Sequence, residues 1–330
     1  MKRLLTKSIN QISIIIFFIA FISSCDNSPA VDCFNEWEPK SLDSCNHTSF
    51  IYDDFTIKIL DKDSLPYIID AREFKPRDVY DKDSVPLFVF HEKSYYHPIS
   101  IAQYSFEVFN LYYTSGDPDH LSYLQTLGNK LIEEAHLIDS ALYFPYHFDF
   151  TLHKCPNETL VSPWYSAMAQ GQVLSLFCRL YEATRDSLYL AYSDMIYESL
   201  IRTKGDGFIP WVTCIDSSEY LWFEEYPREL PAYTLNGMIF AIYGIYDYYR
   251  LTDNIYALEV LKAAITTVKT HIHLYRNEED ISYYCLKHKL KNLDYHNIHI
   301  HQLHMLFEIT GDSYFEEMSL KFTEDTKKME

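Results

Sequence analysis

Apolar residues change rhythm at Pro98. From Phe50 to His97 they fall in short runs, Ile57-Lys58-Ile59-Leu60 and Leu87-Phe88-Val89-Phe90, separated by Asp-Lys-Asp-Ser turns at Asp61 and Asp81. Such runs between turn residues predict small β-hairpins. After Pro98 the apolar positions recur at helical spacing and predict amphipathic helices. The helical part also repeats itself. Thr114-Ser115-Gly116-Asp117, Thr184-Arg185-Asp186, Thr252-Asp253-Asn254 and Thr310-Gly311-Asp312 each follow one apolar helix and precede another. Asp117, Asp186, Asp253 and Asp312 are placed to cap the second helix of each pair, at spacings of 69, 67 and 59 residues.

That spacing fits a helix, a tight turn, a second helix and a long connector. It is about twice the period of tetratricopeptide or ankyrin repeats. The predicted fold is mainly α: an incomplete α/α toroid of helical hairpins with a short β-containing N-terminal segment. The tight turns then gather at one end and the connectors at the other. Residues 1–24 form a leader, 25–49 a tether, 50–97 the β-hairpin segment and 98–330 the toroid.

The leader reading rests on Lys2, Arg3 and Lys7, followed by an apolar run from Ile12 to Ile22. That run is short for a membrane span and ends in Ile22-Ser23-Ser24-Cys25, a lipobox-like string. The expectation is an exported bacterial lipoprotein, anchored to a membrane through lipidated Cys25. An oxidising compartment permits disulfides, and Cys33 with Cys45 is the nearest pair. The net charge of −19 argues against nucleic acid as a partner.

Three strings concentrate tyrosines, carboxylates, histidines and a lysine: Ser162-Pro163-Trp164-Tyr165-Ser166-Ala167-Met168-Ala169-Gln170-Gly171, Trp222-Phe223-Glu224-Glu225-Tyr226-Pro227, and the stretch from Ser282 to His299. All fall in or beside the connectors, so they should meet at one mouth. With Leu235-Asn236-Gly237-Met238-Ile239 and Gly244-Ile245-Tyr246-Asp247 between them, they resemble the C-terminal catalytic domain of D-glucuronyl C5-epimerases, the heparan sulfate and heparosan epimerases. The likeness runs from about Pro98 to the C-terminus in unbroken motif order.

The resemblance implies conversion of D-glucuronate to L-iduronate residues within a polysaccharide or oligosaccharide. No cofactor is expected, and a homodimer is compatible. Such chemistry removes a weakly acidic proton α to a carboxylate and returns one on the opposite face, which needs a base, an acid and donors for the enolate-like intermediate. By motif match Glu225 and Tyr295 flank the sugar, while Tyr226 and Tyr284 assist. Glu224 and Glu225 should point to opposite sides of an extended run, so only one of them is catalytic. Lys287 and His288 are the expected partners of the substrate carboxylate. Trp164 and Tyr165 offer stacking surfaces, and Asn236, His296 and Gln103 complete the substrate-binding set. Lys287 stands where animal members have arginine, and Leu293 where the family has tryptophan. His296, His299, His301 and His304 do not share one helical face, so no metal site is expected.

The same residues leave other readings open. A uronate polysaccharide lyase shares the first proton abstraction, and a glycan-binding lipoprotein without turnover needs no base. A glycoside hydrolase needs two opposed carboxyl groups, and only Glu224 or Glu225 stands out.

Overall fold

The computed structural model describes residues 45–67 and 76–327; Cys25, Cys33 and the expected leader lie outside them. Among the described residues eight α-helices form four hairpins: α1 (Pro98–Ser115) with α2 (Pro118–Glu134), α3 (Ala167–Thr184) with α4 (Ser187–Ile201), α5 (Leu235–Thr252) with α6 (Ile255–Tyr275), and α7 (Leu293–Thr310) with α8 (Ser313–Lys327). Helices α1, α3, α5 and α7 pack side by side, and each is backed by its hairpin partner. Inner and outer helices therefore alternate, as an α/α toroid requires. None of the described helices is long and apolar enough to cross a membrane.

The inner helices touch backbone to backbone at one crossing. A Cβ at Gly244 would lie 2.3 Å from the carbonyl oxygen of Gly171, and one at Gly171 would lie 2.4 Å from Ala241 Cα. Only glycine fits at either position, so these two residues set how closely α3 and α5 approach.

The hairpin turns share one construction. The residue closing each inner helix is left-handed: Gly116 (φ 67°), Arg185 (φ 60°), Asp253 (φ 52°) and Gly311 (φ 70°). The next residue caps the outer helix with its side chain. Asp117 accepts from Asp119 N–H, Asp186 from Leu188 N–H, Asn254 from Ala257 N–H and Asp312 from Tyr314 N–H. Thr184, Thr252 and Thr310 each donate to the carbonyl four residues back and accept the amide of the capping residue. The third cap is thus Asn254, not Asp253 as the repeat suggested. Asp253 takes the left-handed position that glycine fills in the first and last turns, because aspartate tolerates that conformation better than most residues.

The N-terminal part departs further from expectation. Ile57–Leu60 forms no hairpin; residues 45–60 run as an extended strap across the toroid, and the Asp61 copy of the turn closes as a 3-10 turn over Lys62–Ser64, Ser64 N–H donating to Asp61 C=O. Lys58 N–H donates to Ile309 C=O, Tyr246 hydroxyl bonds the backbone of Lys58 and Leu60, and Tyr67 stacks on Phe106 at 4.1 Å. Residues 45–49, expected in the tether, already belong to this strap, with Cys45 buried and His47 N–H donating to Ile215 C=O. The Asp81 copy of the turn forms as well, its carboxylate accepting from Asp83 and Val85 N–H, ahead of the hairpin β1 (Phe88–Phe90) and β2 (Lys93–Tyr95). Cys45 is a free thiol, so the Cys33–Cys45 pairing does not stand. Cys155 is disulfide-bonded.

The connectors carry three further hairpins, β3 (His136–Ile138) with β4 (Ala141–Tyr143), β5 (Phe150–Thr151) with β6 (Thr159–Leu160), and β7 (Thr213–Ile215) with β8 (Leu221–Phe223). They build the mouth opposite the tight turns.

Candidate active site

The second connector places the two glutamates. Strand β8 ends at Phe223, and Glu224 and Glu225 then leave the sheet in opposite directions. Glu224 turns inward, where its carboxylate accepts from the backbone N–H groups of Ala232 and Tyr233 at 3.2 Å each. Glu225 turns toward a narrow cleft lined by His97, Ile99, Tyr146, Phe150, Trp164, Ser166, Glu225 and Tyr226. Its Oε2 sits against the first turn of α5, where a Cβ on Gly237 would come within 2.4 Å of it. Glycine in that motif makes room for the carboxylate.

Phenols surround Glu225. Tyr284 hydroxyl donates to Glu225 Oε2 at 3.2 Å and lies 3.1 Å from Tyr226 hydroxyl. The Tyr295 ring packs 4.3 Å from that of Tyr284. Tyr284 is fully buried and Tyr295 3% exposed, so both stand behind Tyr226 rather than on the cleft wall. Burial pushes the Glu225 carboxyl up to about 7, against the downward pull of the Tyr226 and Tyr284 hydrogen bonds. Burial likewise pushes Glu224 up to about 8, opposed by its two backbone donors. A carboxyl that titrates near neutrality beside a chain of hydroxyls is suited to exchanging protons.

The cleft walls are aromatic. Trp164 stacks on Tyr146 at 4.0 Å and is fixed by its indole N–H to Phe148 C=O at 2.9 Å. Phe150 stacks on Tyr226 at 5.6 Å. Burial drives His97 down to about 3, so it lines the cleft as a neutral ring, accepting from Ser100 N–H to cap α1. No lysine or arginine is among the lining residues.

The structure thus brings Trp164, Glu225, Tyr226, Tyr284 and Tyr295 together, and Asn236 lies close by, its amide 4.0 Å from Met168 sulfur and its Oδ1 buried without a partner. Other expected residues go elsewhere. Lys287 and His288 both pair with Glu158, at 2.6 and 3.0 Å, instead of presenting free charge to the cleft. Tyr165 bonds His136 at 2.7 Å, away from Trp164's stack. His296 uses both ring nitrogens to join Ser282 to α8, through Phe322 C=O and Thr326, and His299 bonds Ser282. Gln103 is buried within α1 and is not on the cleft wall. Sequence reasoning missed Tyr146 and Phe150, although Tyr146-His147-Phe148-Asp149-Phe150 alternates aromatic and polar residues as a strand with one aromatic face does. His97 carried no such signal.

The pattern of the family described as D-glucuronyl C5-epimerase C-terminus matches residues 139–324. An uncharacterized protein of Methanocaldococcus jannaschii is 32% identical over 171 residues, 52% of this chain and 53% of that one. A D-glucuronyl C5-epimerase of Caenorhabditis elegans is 27% identical over 180 residues, 47% of this chain and 28% of that one. The chain therefore covers about half of the first relative's length and about a quarter of the second's. Among solved structures, cellobiose 2-epimerase from Bacillus thermoamylovorans is similar at 12% identity and a TM-score of 0.47, over 70% of this chain and 60% of that one. The family match spans more than half of the sequence and contains Glu225, Tyr226, Tyr284 and Tyr295, and by it the chain belongs to the D-glucuronyl C5-epimerase C-terminal family.

Proposed function

We propose that this chain is a carbohydrate epimerase that inverts C5 of glucuronate residues within a polysaccharide or oligosaccharide. The observation that carries the reading is Glu225, a cleft-lining carboxyl with its pKa raised to about 7 and hydrogen-bonded to a phenol. As a carboxylate it accepts the C5 proton; Tyr226 on the cleft wall, with Tyr284 and Tyr295 behind it as a hydroxyl relay, supplies the returning proton. The aromatic walls at Trp164 and Tyr146 suit a sugar ring. Membership of the family and the motif match of these residues support the assignment.

The test is incubation with heparosan-like glucuronate polymers in deuterated water, with the C5 position followed by NMR. The reading predicts loss of the H5 signal with appearance of iduronate. Formation of unsaturated uronate, seen as new ultraviolet absorbance, would make the chain a lyase instead. Tyr295→Phe keeps the ring and removes the hydroxyl, so exchange should fall by about 10²–10⁴-fold, the range for a general acid or base. Tyr283→Phe is the control and should exchange at the wild-type rate. Unchanged exchange in Tyr295→Phe would remove Tyr295 from proton transfer.

A further inference from the structure

Beside the tyrosine cluster lie three side chains that proton transfer at Glu225 does not use. Cys285 Sγ stands 3.5 Å from His153 Nε2 and 3.5 Å from His288 Nδ1. The three ligand-capable atoms all lie within 4.8 Å of one another. His153 comes from the turn Leu152–Lys154 in the first connector, and Cys285 and His288 from the last. The two imidazoles meet edge to face, with centroids 4.8 Å apart and planes at 74°.

Hydrogen bonding accounts for both contacts but leaves His153 Nδ1 buried without a partner. His288 commits Nε2 to Glu158 Oε1 at 3.0 Å, which places the ring hydrogen there and leaves the Nδ1 lone pair facing the sulfur. A thiol has one hydrogen, so it serves only one of the two nitrogens beside it. If His153 instead donates from Nε2, its Nδ1 becomes an acceptor, and that atom is buried without a partner. His153 and Lys154 also hold left-handed backbone, φ 51° and 62°, a conformation that costs about 1–3 kcal/mol for residues other than glycine. The chain spends that energy on a turn that aims an imidazole at a sulfur.

The two sulfur–nitrogen distances fit a different purpose. Zinc takes thiolate sulfur at about 2.3 Å and imidazole nitrogen at about 2.0–2.1 Å, so tetrahedral geometry sets the two ligands about 3.5 Å apart. Both sulfur–nitrogen separations have that value. Burial pushes the Cys285 thiol up to about 12 against the pull of the His288 and Leu290 backbone N–H groups, so an ion must displace its proton. Glu158 behind His288 supplies the carboxylate that orients a metal-bound imidazole.

We propose that His153, Cys285 and His288 bind a divalent cation of the zinc type, with Glu158 as the outer partner that fixes His288. A thiolate with two imidazoles suits such an ion, whereas magnesium and calcium take oxygen ligands. Binding converts the Cys285 thiol to a thiolate and releases one proton per ion. The ion ties the first connector to the last, immediately after Tyr284, and so clamps the mouth from behind.

The untagged full-length protein, stripped with a chelator, is titrated with cobalt(II) and then zinc. One equivalent of cobalt should produce a sulfur-to-metal charge-transfer band that zinc abolishes. Cys285→Ser should lose the band, while Cys214→Ser, at a buried thiol elsewhere, should keep it. Glu158→Gln should weaken cobalt binding by about 10–100-fold, as loss of an outer-shell partner does. Absence of the band in the wild-type protein, or its survival in Cys285→Ser, overturns the proposal. If Cys285→Ser does not fold, Glu158→Gln decides, since cobalt affinity equal to wild type contradicts the assignment. None of these readouts requires a carbohydrate substrate, so they stand apart from the epimerase test.

Discussion

At the turn end of the toroid Asp247 is fully buried, and so is the cation facing it. Arg179 donates to Asp247 Oδ2 at 3.0 and 3.2 Å and to Pro66 C=O at 2.7 Å, and its guanidinium lies 5.1 Å from the Phe106 ring. Arg250 approaches the other oxygen at 3.6 Å while gripping Glu182 with two bonds. At the connector end Glu224 and Glu225 are almost as deeply buried, but their bonded partners are amides and phenols with no formal charge. Neutral donors offset less of the desolvation cost than a cation does, which is why both carboxyls are pushed toward neutrality. Charge buried for structure is matched by opposite charge. Glu225 is left with hydroxyl partners that can serve either of its protonation forms.

The contrast is most easily broken at the turn end. Arg179→Met strands Asp247 and should cost about 3–5 kcal/mol, read from denaturant unfolding. Glu225→Gln at pH 8.5 should cost nothing or stabilise, because it removes an unpaired buried charge. Equal losses in the two variants would abolish the distinction.

Next in size is the dependence on pH. Glu225 has a folded-state pKa raised from 4.5 to about 7, so the folded protein binds its proton more tightly than the unfolded chain does. The resulting stabilisation is complete below about pH 4.5 and is lost as pH rises through about 7. By the conversion of 1.36 kcal/mol per unit, the difference is at most about 3 kcal/mol. Glu224 behaves the same way with its upper limit near pH 8. The stability difference between wild type and Glu225→Gln should therefore move in favour of the variant between pH 5 and 8. A pH-independent difference would contradict the raised pKa.

The smallest effect concerns the third turn. Asn254→Ala should cost about 1 kcal/mol through loss of its cap. Asp253→Gly should be neutral or slightly stabilising, since glycine adopts left-handed φ freely. A larger loss at Asp253 than at Asn254 would return the cap to the position the repeat first suggested.

The turn repeat and the motif strings were the most legible features. Helical periodicity, Thr-x-Asp punctuation and the order of the strings led to the toroid and to a mouth holding Glu225, Tyr226, Tyr284 and Tyr295. Asp253 was misplaced by one residue because aspartate suits both a left-handed closing position and a cap. Lys287 and His288 were read as free charges because their partner Glu158 lies some 130 residues upstream, where no local pattern marks it. His153 was invisible for the same reason, although Cys285-x-x-His288 had a suggestive spacing of its own. Ile57–Leu60 looked like a strand because an extended strap and a strand share one backbone conformation. Only the partner differs, and here it is a helix end and a tyrosine hydroxyl.

The central claim is that Glu225 is the base at C5, and its pH–rate profile for deuterium incorporation tests it. Wild-type exchange should rise with pH through an inflection near 7, where Glu225 loses its proton. Glu225→Gln should lower the plateau by about 10²–10⁴-fold and remove that inflection, while still binding the polymer. Wild-type exchange rates in Glu225→Gln, with the inflection unchanged, would show that another group takes the proton.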